Sequence, residues 1–306
     1  LSIKNWIKFI FLGLVWGSSF LWIKIALQEV GPFTLVFFRV LFGTIGLIAF
    51  FVFTRLKFSF KSFWIYGVIG LFNVALPFAL ISWSEKNISS GLASILNSTV
   101  PLFTMLIASI FVHDERLTSS RIAGLIVGFA GVLVLMSNRL SGETAIQGWG
   151  IFAMLVAAVS YGACAVFARR TNHRVKSQDQ ALGQMATGVL FIAPAMLIFE
   201  PPFHLPVLPV TYLAFGWLGL LGSCVAALLW FSLINSVGPS RTSMVTYMFP
   251  LVGVILGLIV LKETLDWRLF AGGALILAGI VIVNSSKKHI SKEDAPLLSD
   301  EGSSNG

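Results

Sequence analysis

Few side chains in this chain could do chemistry in an apolar setting, and they gather beside prolines. Asn97, Ser98 and Thr99 stand before Pro101, Thr246 and Tyr247 stand before Pro250, and Asn73 lies one turn before Pro77. Gln184 and Thr187 are spaced to share one face of a helix. A proline removes a backbone donor and bends the helix that carries it. A polar side chain deep in an apolar helix is costly unless it finds a partner or water. The pattern reads as the wall of a wet cavity that holds a small molecule by hydrogen bonds. The plainer alternative is bonding between helices, worth about 1 kcal/mol per bond. Aromatic candidates for the same wall are Trp16, which precedes Gly17, and Tyr161, which precedes Gly162, together with Trp83 and Trp230. The candidate substrate-binding set is therefore Trp16, Asn73, Trp83, Asn97, Tyr161, Gln184, Trp230 and Tyr247. Pro77, Pro101 and Pro250 are its expected kinks.

Other chemistry is not in view. The thirteen carboxylates all fall at the ends of apolar runs, in connections or in the tail, and His113, His173, His204 and His289 also miss the run centres. With no chain of acids or histidines across the apolar zone, a proton relay is not expected. Transport down a gradient, or exchange, is expected instead. Cys164 and Cys224 are too few for a disulfide framework or a metal site and read as small packing residues. There is no phosphate-binding loop or metal-ligand cluster. No enzyme, no catalytic residue, no metal and no cofactor is expected. The 21 basic residues are scattered over short connections, which argues against nucleic acid as a partner. Lys24 and Arg39 are the only cations well inside apolar runs. They are expected to snorkel to the nearer surface, paired with Glu29. Their alternative use is to attract an anionic substrate such as a sugar phosphate or nucleotide sugar.

The elements that must position these residues are long apolar runs. At 57% hydrophobic and 11% charged residues, the composition is that of an integral membrane protein. Ten runs are predicted as membrane-spanning helices: Trp6–Leu27, Thr34–Thr54, Phe63–Trp83, Ser90–Val112, Ser119–Ser137, Gly148–Ala168, Gln180–Phe199, Thr211–Asn235, Thr242–Leu261 and Trp267–Asn284. The runs are too long and too uniformly apolar for barrel strands. A lipid bilayer and a small-molecule substrate are the expected partners. The chain reads equally as a monomer or a homodimer.

The chain also repeats itself. A shift of 148 positions lays Glu115 on Glu263, Leu117 on Leu265, and Gly124 and Gly131 on Gly272 and Gly279. This gives a first five-helix repeat over residues 1–137, a loop over 138–147, a second repeat over 148–284 and a polar, disordered tail over 285–306. Five is odd, so the repeats would cross in opposite senses. Lys and Arg number fifteen on the side of the termini and four on the other, which puts both termini in the cytoplasm. A bacterial inner (plasma) membrane is the default host. Glu115 and Glu263 are expected to cap the hairpins in which they lie. Glu293-Asp294-Ala295-Pro296-Leu297-Leu298 has the form of an acidic dileucine sorting signal.

The order of these features resembles the EamA family of the drug/metabolite transporter superfamily. The residues that carry the resemblance are Trp16-Gly17-Ser18-Ser19-Phe20, Arg39, Pro101 with Glu115-Arg116-Leu117-Thr118, and Pro250 with Lys262-Glu263-Thr264-Leu265. The resemblance implies a ten-helix exporter or exchanger of small metabolites (amino acids, related solutes or drugs) with a cavity between two halves.

Overall fold

The computed structural model describes residues 2–111, 118–137, 145–171, 174–201, 205–237, 242, 244–264 and 266–285. It is helical, with no strand among the described residues. Eight helical segments are long and apolar enough to cross a bilayer: α1 (Ile3–Ala26), α2 (Pro32–Phe53), α3 (Phe60–Glu85), α4 (Ser90–Phe111), α5 (Ser119–Met136), α6 (Ile146–Thr171), α7 (Ser177–Phe199) and α8 (Pro209–Leu233). Two shorter apolar helices follow, α9 (Met244–Ile259) and α10 (Trp267–Val283). These ten segments occupy the ten predicted runs. The architecture is that of a multi-pass integral membrane protein, since only helices and closed barrels satisfy every backbone group in lipid.

The helix starts follow ordinary capping rules. Pro32 and Pro209 open α2 and α8, where a missing N–H costs nothing. Ser89 caps α4 by accepting from Leu92 N, and Thr118 caps α5 by accepting from Arg121 N, each at 3.3 Å.

Inside the spans the ladder is interrupted at five places that matter. α1 is broken at Ser18, and α4 at Ser98–Thr99. α3 and α8 each contain a wide π-helical stretch, Gly70–Ala75 and Trp217–Val225. α9 begins with a tight 3-10 turn, Met244–Tyr247. Pro77, Pro101 and Pro250 each lie in the first turn of the regular helix that resumes after such an interruption. They mark restarts, whereas Pro194 sits within an unbroken helix.

Packing runs through all ten helices. α5 lies along α10, and α2 along α7 and the wide part of α8. α3 packs on α6 and α7, α4 on α6 and α9, and α1 on α8 and α9. The α5–α10 seam is made of glycine. A Cβ added at Gly124 would sit 2.7 Å from Gly279 O, one at Gly279 would sit 2.6 Å from Gly124 O, and one at Gly131 would sit 2.6 Å from Gly272 O. Small residues let helix backbones meet in this way where water cannot drive association.

At one end of the bundle, three carboxylates reach across from one group of five helices to the other. Glu29 accepts from Val207 N, Leu208 N at 2.9 Å and the Thr211 hydroxyl, at the start of α8. Glu200 accepts from Phe33 N and Thr34 N at 2.9 Å and from the Thr34 hydroxyl at 2.7 Å, at the start of α2. Glu263 accepts from Ser90 N at 2.8 Å, the Ser90 hydroxyl at 2.9 Å and Gly91 N at 3.3 Å, at the start of α4. Each satisfies donors that a helix start leaves unpaired. Burial pushes the Glu29 carboxyl up, but the Thr211 hydroxyl and the Leu208 and Val207 N–H groups outweigh that and hold it below its ordinary value.

Glu263 therefore caps a helix other than the expected one. It closes α4 from the α9–α10 connection, because the first turn of α4 lies beside that connection and offers free N–H groups. The Glu29 carboxylate takes the start of α8, leaving Lys24 to other partners. The expected cap at Glu115 lies outside the described residues, as do most of the expected 138–147 loop and the tail beyond Ser285.

Candidate functional site

A cavity of about 370 Å³ lies in the middle of the bundle, with walls from α1, α2, α3, α4, α6, α7, α8 and α9. Of the eight candidate residues, Trp16, Asn73, Asn97, Tyr161, Gln184 and Trp230 lie on its wall. Trp83 and Tyr247 do not. Trp83 is exposed on the outside of α3, because the wide stretch at Gly70–Ala75 adds rotation between it and Asn73. Tyr247 lies half-buried in the 3-10 turn, whose three-residue period turns Thr246 to the cavity in its place.

Three groups of side chains build the wall. Trp16, Trp230 and Phe249 form an aromatic corner. Trp16 and Trp230 centroids are 5.4 Å apart and tilted by 49°, and Phe249 meets Trp16 edge-on at 6.0 Å. The Trp16 indole is fixed by a 2.8 Å bond from Nε1 to Gly222 O, a carbonyl in the wide stretch of α8. The corresponding use in α3 is Phe72 O, which accepts from the Ser160 hydroxyl at 2.6 Å. Wide turns break the regular ladder, so side chains of neighbouring helices can complete it. Facing this corner is an amide pair: Asn73 Nδ2 donates to Gln184 Oε1 at 3.1 Å.

The third group is a cation. Arg39 is 6% exposed, with its guanidinium carbon 3.8 Å from the centre of the Phe78 ring. Its hydrogen-bond partner among the described residues is the Ser223 hydroxyl, at a long 3.4 Å from Nε. Arg39 lines the cavity instead of snorkelling. The sequence held the signal. Arg39 stands seven residues into a helix that must begin at Pro32, about 10 Å from its end, which is beyond comfortable reach. Lys24 does the opposite of what its companion does. Its ammonium donates to the carbonyls of Glu85 and of Ile88, the latter at 2.8 Å, where α3 ends. It serves the negative end of a helix and does not line the cavity. The site thus presents one cation, Arg39, four amide side chains (Asn73, Asn97, Gln180 and Gln184) and a large aromatic surface. Such a site can hold one anionic group by charge and a flat apolar body by contact. Among the described residues, no group of three His, Cys, Asp or Glu is placed to hold a metal ion.

The cavity is asymmetric along the bundle. Its deep part is bounded by Ile23, Arg39 and Ile81 on the side of the carboxylate clasps. Its other margin is formed by Ala165, Ala168 and Gln180, near the ends of α6 and α7 that carry the basic residues Arg169, Arg170 and Arg174.

The model of the EamA-like transporter family matches residues 4–137 and again residues 148–285. The chain belongs to the EamA-like transporter family. Among the relatives of this EamA chain is an uncharacterized inner membrane transporter, YedA, of Escherichia coli, 29% identical over 277 residues, covering 90% of this chain and 88% of YedA. Another is the uncharacterized transporter YvbV of Bacillus subtilis, 27% identical over 289 residues, covering 91% and 90%. A probable terminal-alkyne amino-acid exporter of Streptantibioticus cattleyicolor is 26% identical over 205 residues, 67% of each chain. A solved crystal structure superposes with a TM-score of 0.64 at 22% identity, over 91% of this chain and 96% of the other, and so shares its fold. In the EamA chain, Trp16 and Gly17, which carried the resemblance, orient the aromatic corner and the α1–α9 contact: a Cβ on Gly17 would lie 2.6 Å from Val252 Cβ.

Proposed function

We propose that this protein is a secondary transporter that exports or exchanges a small metabolite, an amino acid or a related solute, by alternating access. The observation that carries the reading is the central cavity, whose wall holds one cation, Arg39, bonded only at a long 3.4 Å to Ser223, together with an amide pair and an aromatic corner. A zwitterion or monoanion with an apolar side chain suits that lining. The relative described as a probable amino-acid exporter agrees with it. A sugar phosphate or nucleotide sugar would call for further cations, and Lys24 is occupied by carbonyls. The metabolite reading is therefore preferred.

Two inverted five-helix halves supply the mechanism. Their support is detailed likeness. Wide stretches recur in α3 and α8, and an irregular turn precedes Pro101 in α4 as one precedes Pro250 in α9. Gly17 of α1 meets Val252 of α9 as Gly162 of α6 meets Phe103 and Thr104 of α4. With the basic residues on the cytoplasmic side, both termini and the Ala165–Gln180 margin of the cavity face the cytoplasm, and the carboxylate clasps face outward. This conformation is then the inward-facing one, and the clasps must release for the cavity to open outward.

The test is a thermal-stability screen of common amino acids on purified protein, followed by counterflow exchange of any stabilising solute in liposomes. A ligand that binds the native state raises the melting temperature. A stabilising, exchangeable amino acid whose effect vanishes in Arg39→Gln is the expected result. Exchange that is untouched by Arg39→Gln would refute this site.

A further inference from the structure

Glu85 closes α3 at the clasped end, beside but outside the cavity wall. Its residue is fully buried, and neither carboxylate oxygen has a hydrogen-bond partner. The Ser82 hydroxyl, one turn earlier on the same face, is likewise buried without a partner. This is not a shortage of nearby donors. Lys24 from α1 comes to Glu85, but to its backbone carbonyl. Arg39 from α2 is engaged by Phe78 and Ser223. Glu263, at the start of α4, accepts from three donors there. α6 contributes Tyr161, which acts on Arg39, and the next residue in the chain, Lys86, is exposed.

An ionised Glu85 in this setting would carry its charge dry, without one hydrogen bond, at the negative end of a helix and near a second carboxylate. A protonated Glu85 suffers none of these. Two cations nevertheless stand close enough to act on it electrostatically, Lys24 and Arg39. A modest rearrangement of the clasped end would give the ionised form a partner.

We propose that Glu85 is a proton-binding site. It carries a proton while the clasped end is shut, and it gives that proton to entering water when the end opens and Lys24 or Arg39 becomes its counter-ion. Resting on the transporter reading above, this makes transport proton-coupled. It replaces the expectation from sequence that transport is uncoupled. Glu85 lies at the end of an apolar run, where the sequence places all the carboxylates, yet the fold buries it completely.

The first test needs no substrate. Infrared difference spectra of the full-length protein in lipid should show, at neutral pH, a protonated-carboxyl band that Glu85→Gln removes and Glu263→Gln leaves. Absence of such a band overturns the proposal. Should Glu85→Gln not purify, Glu85→Asp keeps a carboxyl and should shift the band in place of removing it; an unmoved band overturns the assignment.

The second test uses liposomes containing a pH dye and a mixture of common amino acids. Wild type should move protons with the solute. Glu85→Gln should lose that proton movement and keep solute exchange, since its amide mimics the protonated group. Exchange by wild type with no proton movement overturns the coupling. Failure of exchange in both proteins counts against the amino-acid reading, and the infrared band then decides the protonation site by itself.

Discussion

Glycine is used in two opposite ways in this bundle. Along α5 and α10 it removes side chains so that two regular helices touch backbone to backbone, at Gly124, Gly131, Gly272 and Gly279. In α3 and α8 it lies where the helix is not regular, at Gly70, Gly219 and Gly222 within the wide stretches. The first pair makes a seam whose ladders are complete and whose outer faces expose Ile126, Leu133, Phe270 and Val281 to lipid. The second pair makes cavity walls whose carbonyls are finished by Trp16 and Ser160 from neighbouring helices. The same residue type thus builds a rigid spine in one place and a deformable wall in the other. What separates them is the backbone ladder, regular along the seam and widened in the walls.

Substitutions should separate the two uses, and the seam should suffer most. Gly279→Ala puts a methyl group against the backbone of α5, where nothing flexible can give way. A loss of about 1–3 kcal/mol is expected from such overpacking, read as a lower melting temperature and poor monodispersity. In the cavity wall the largest effect should be on binding. Arg39→Gln is expected to weaken binding of the exchanged amino acid at least about tenfold, or ~1.4 kcal/mol, with stability unchanged or raised, because a poorly paired buried cation is removed. Arg39→Lys should not restore binding, since a compact ammonium cannot stack on Phe78 as a guanidinium does.

Smaller effects should follow the same division. Asn73→Ala breaks the amide pair with Gln184 and should cost about 0.6 kcal/mol of stability, typical of one hydrogen bond between membrane helices. The clasped end should respond to pH. Glu29 is held below its ordinary value in the folded protein, so its contribution is present above the unfolded carboxylate range and lost as pH falls through the folded value. A loss of thermal stability in acid that is smaller in Glu29→Gln than in wild type is the expected result. An effect of the opposite sign belongs to Arg55, which follows α2 in the left-handed region at φ 54°. Leu56 N bonds to Phe51 O behind it, the bond pattern that favours glycine at this place. Arg55→Gly should stabilise the fold by about 1 kcal/mol.

Much of the helical framework was legible because membrane helices announce themselves by length and apolarity, and each of the ten predicted runs holds a helix. The cavity residues ahead of prolines were legible for a related reason. Asn73 and Asn97 could not be placed against lipid without loss. What could not be read was rotation. Trp83 reads as a wall aromatic by its residue type and Tyr247 by its place before Pro250, while the wide and tight turns in their helices are invisible in composition, and neither residue lies on the wall. Cross-chain partners were equally hidden. Nothing near Glu263 in the sequence points to Ser90, and nothing near Glu85 reveals that it is buried.

The carboxylate caps also bear on how the molecule is made. The first turn of α4 is finished by a residue 173 positions downstream, and that of α2 by one 166 positions downstream. A ribosome that has delivered only the first five helices has delivered helix starts whose N–H groups still lack their acceptors. Those ends must wait in the membrane for Glu200 and Glu263 to arrive, so the early part of the chain reaches its finished form only when synthesis is nearly over.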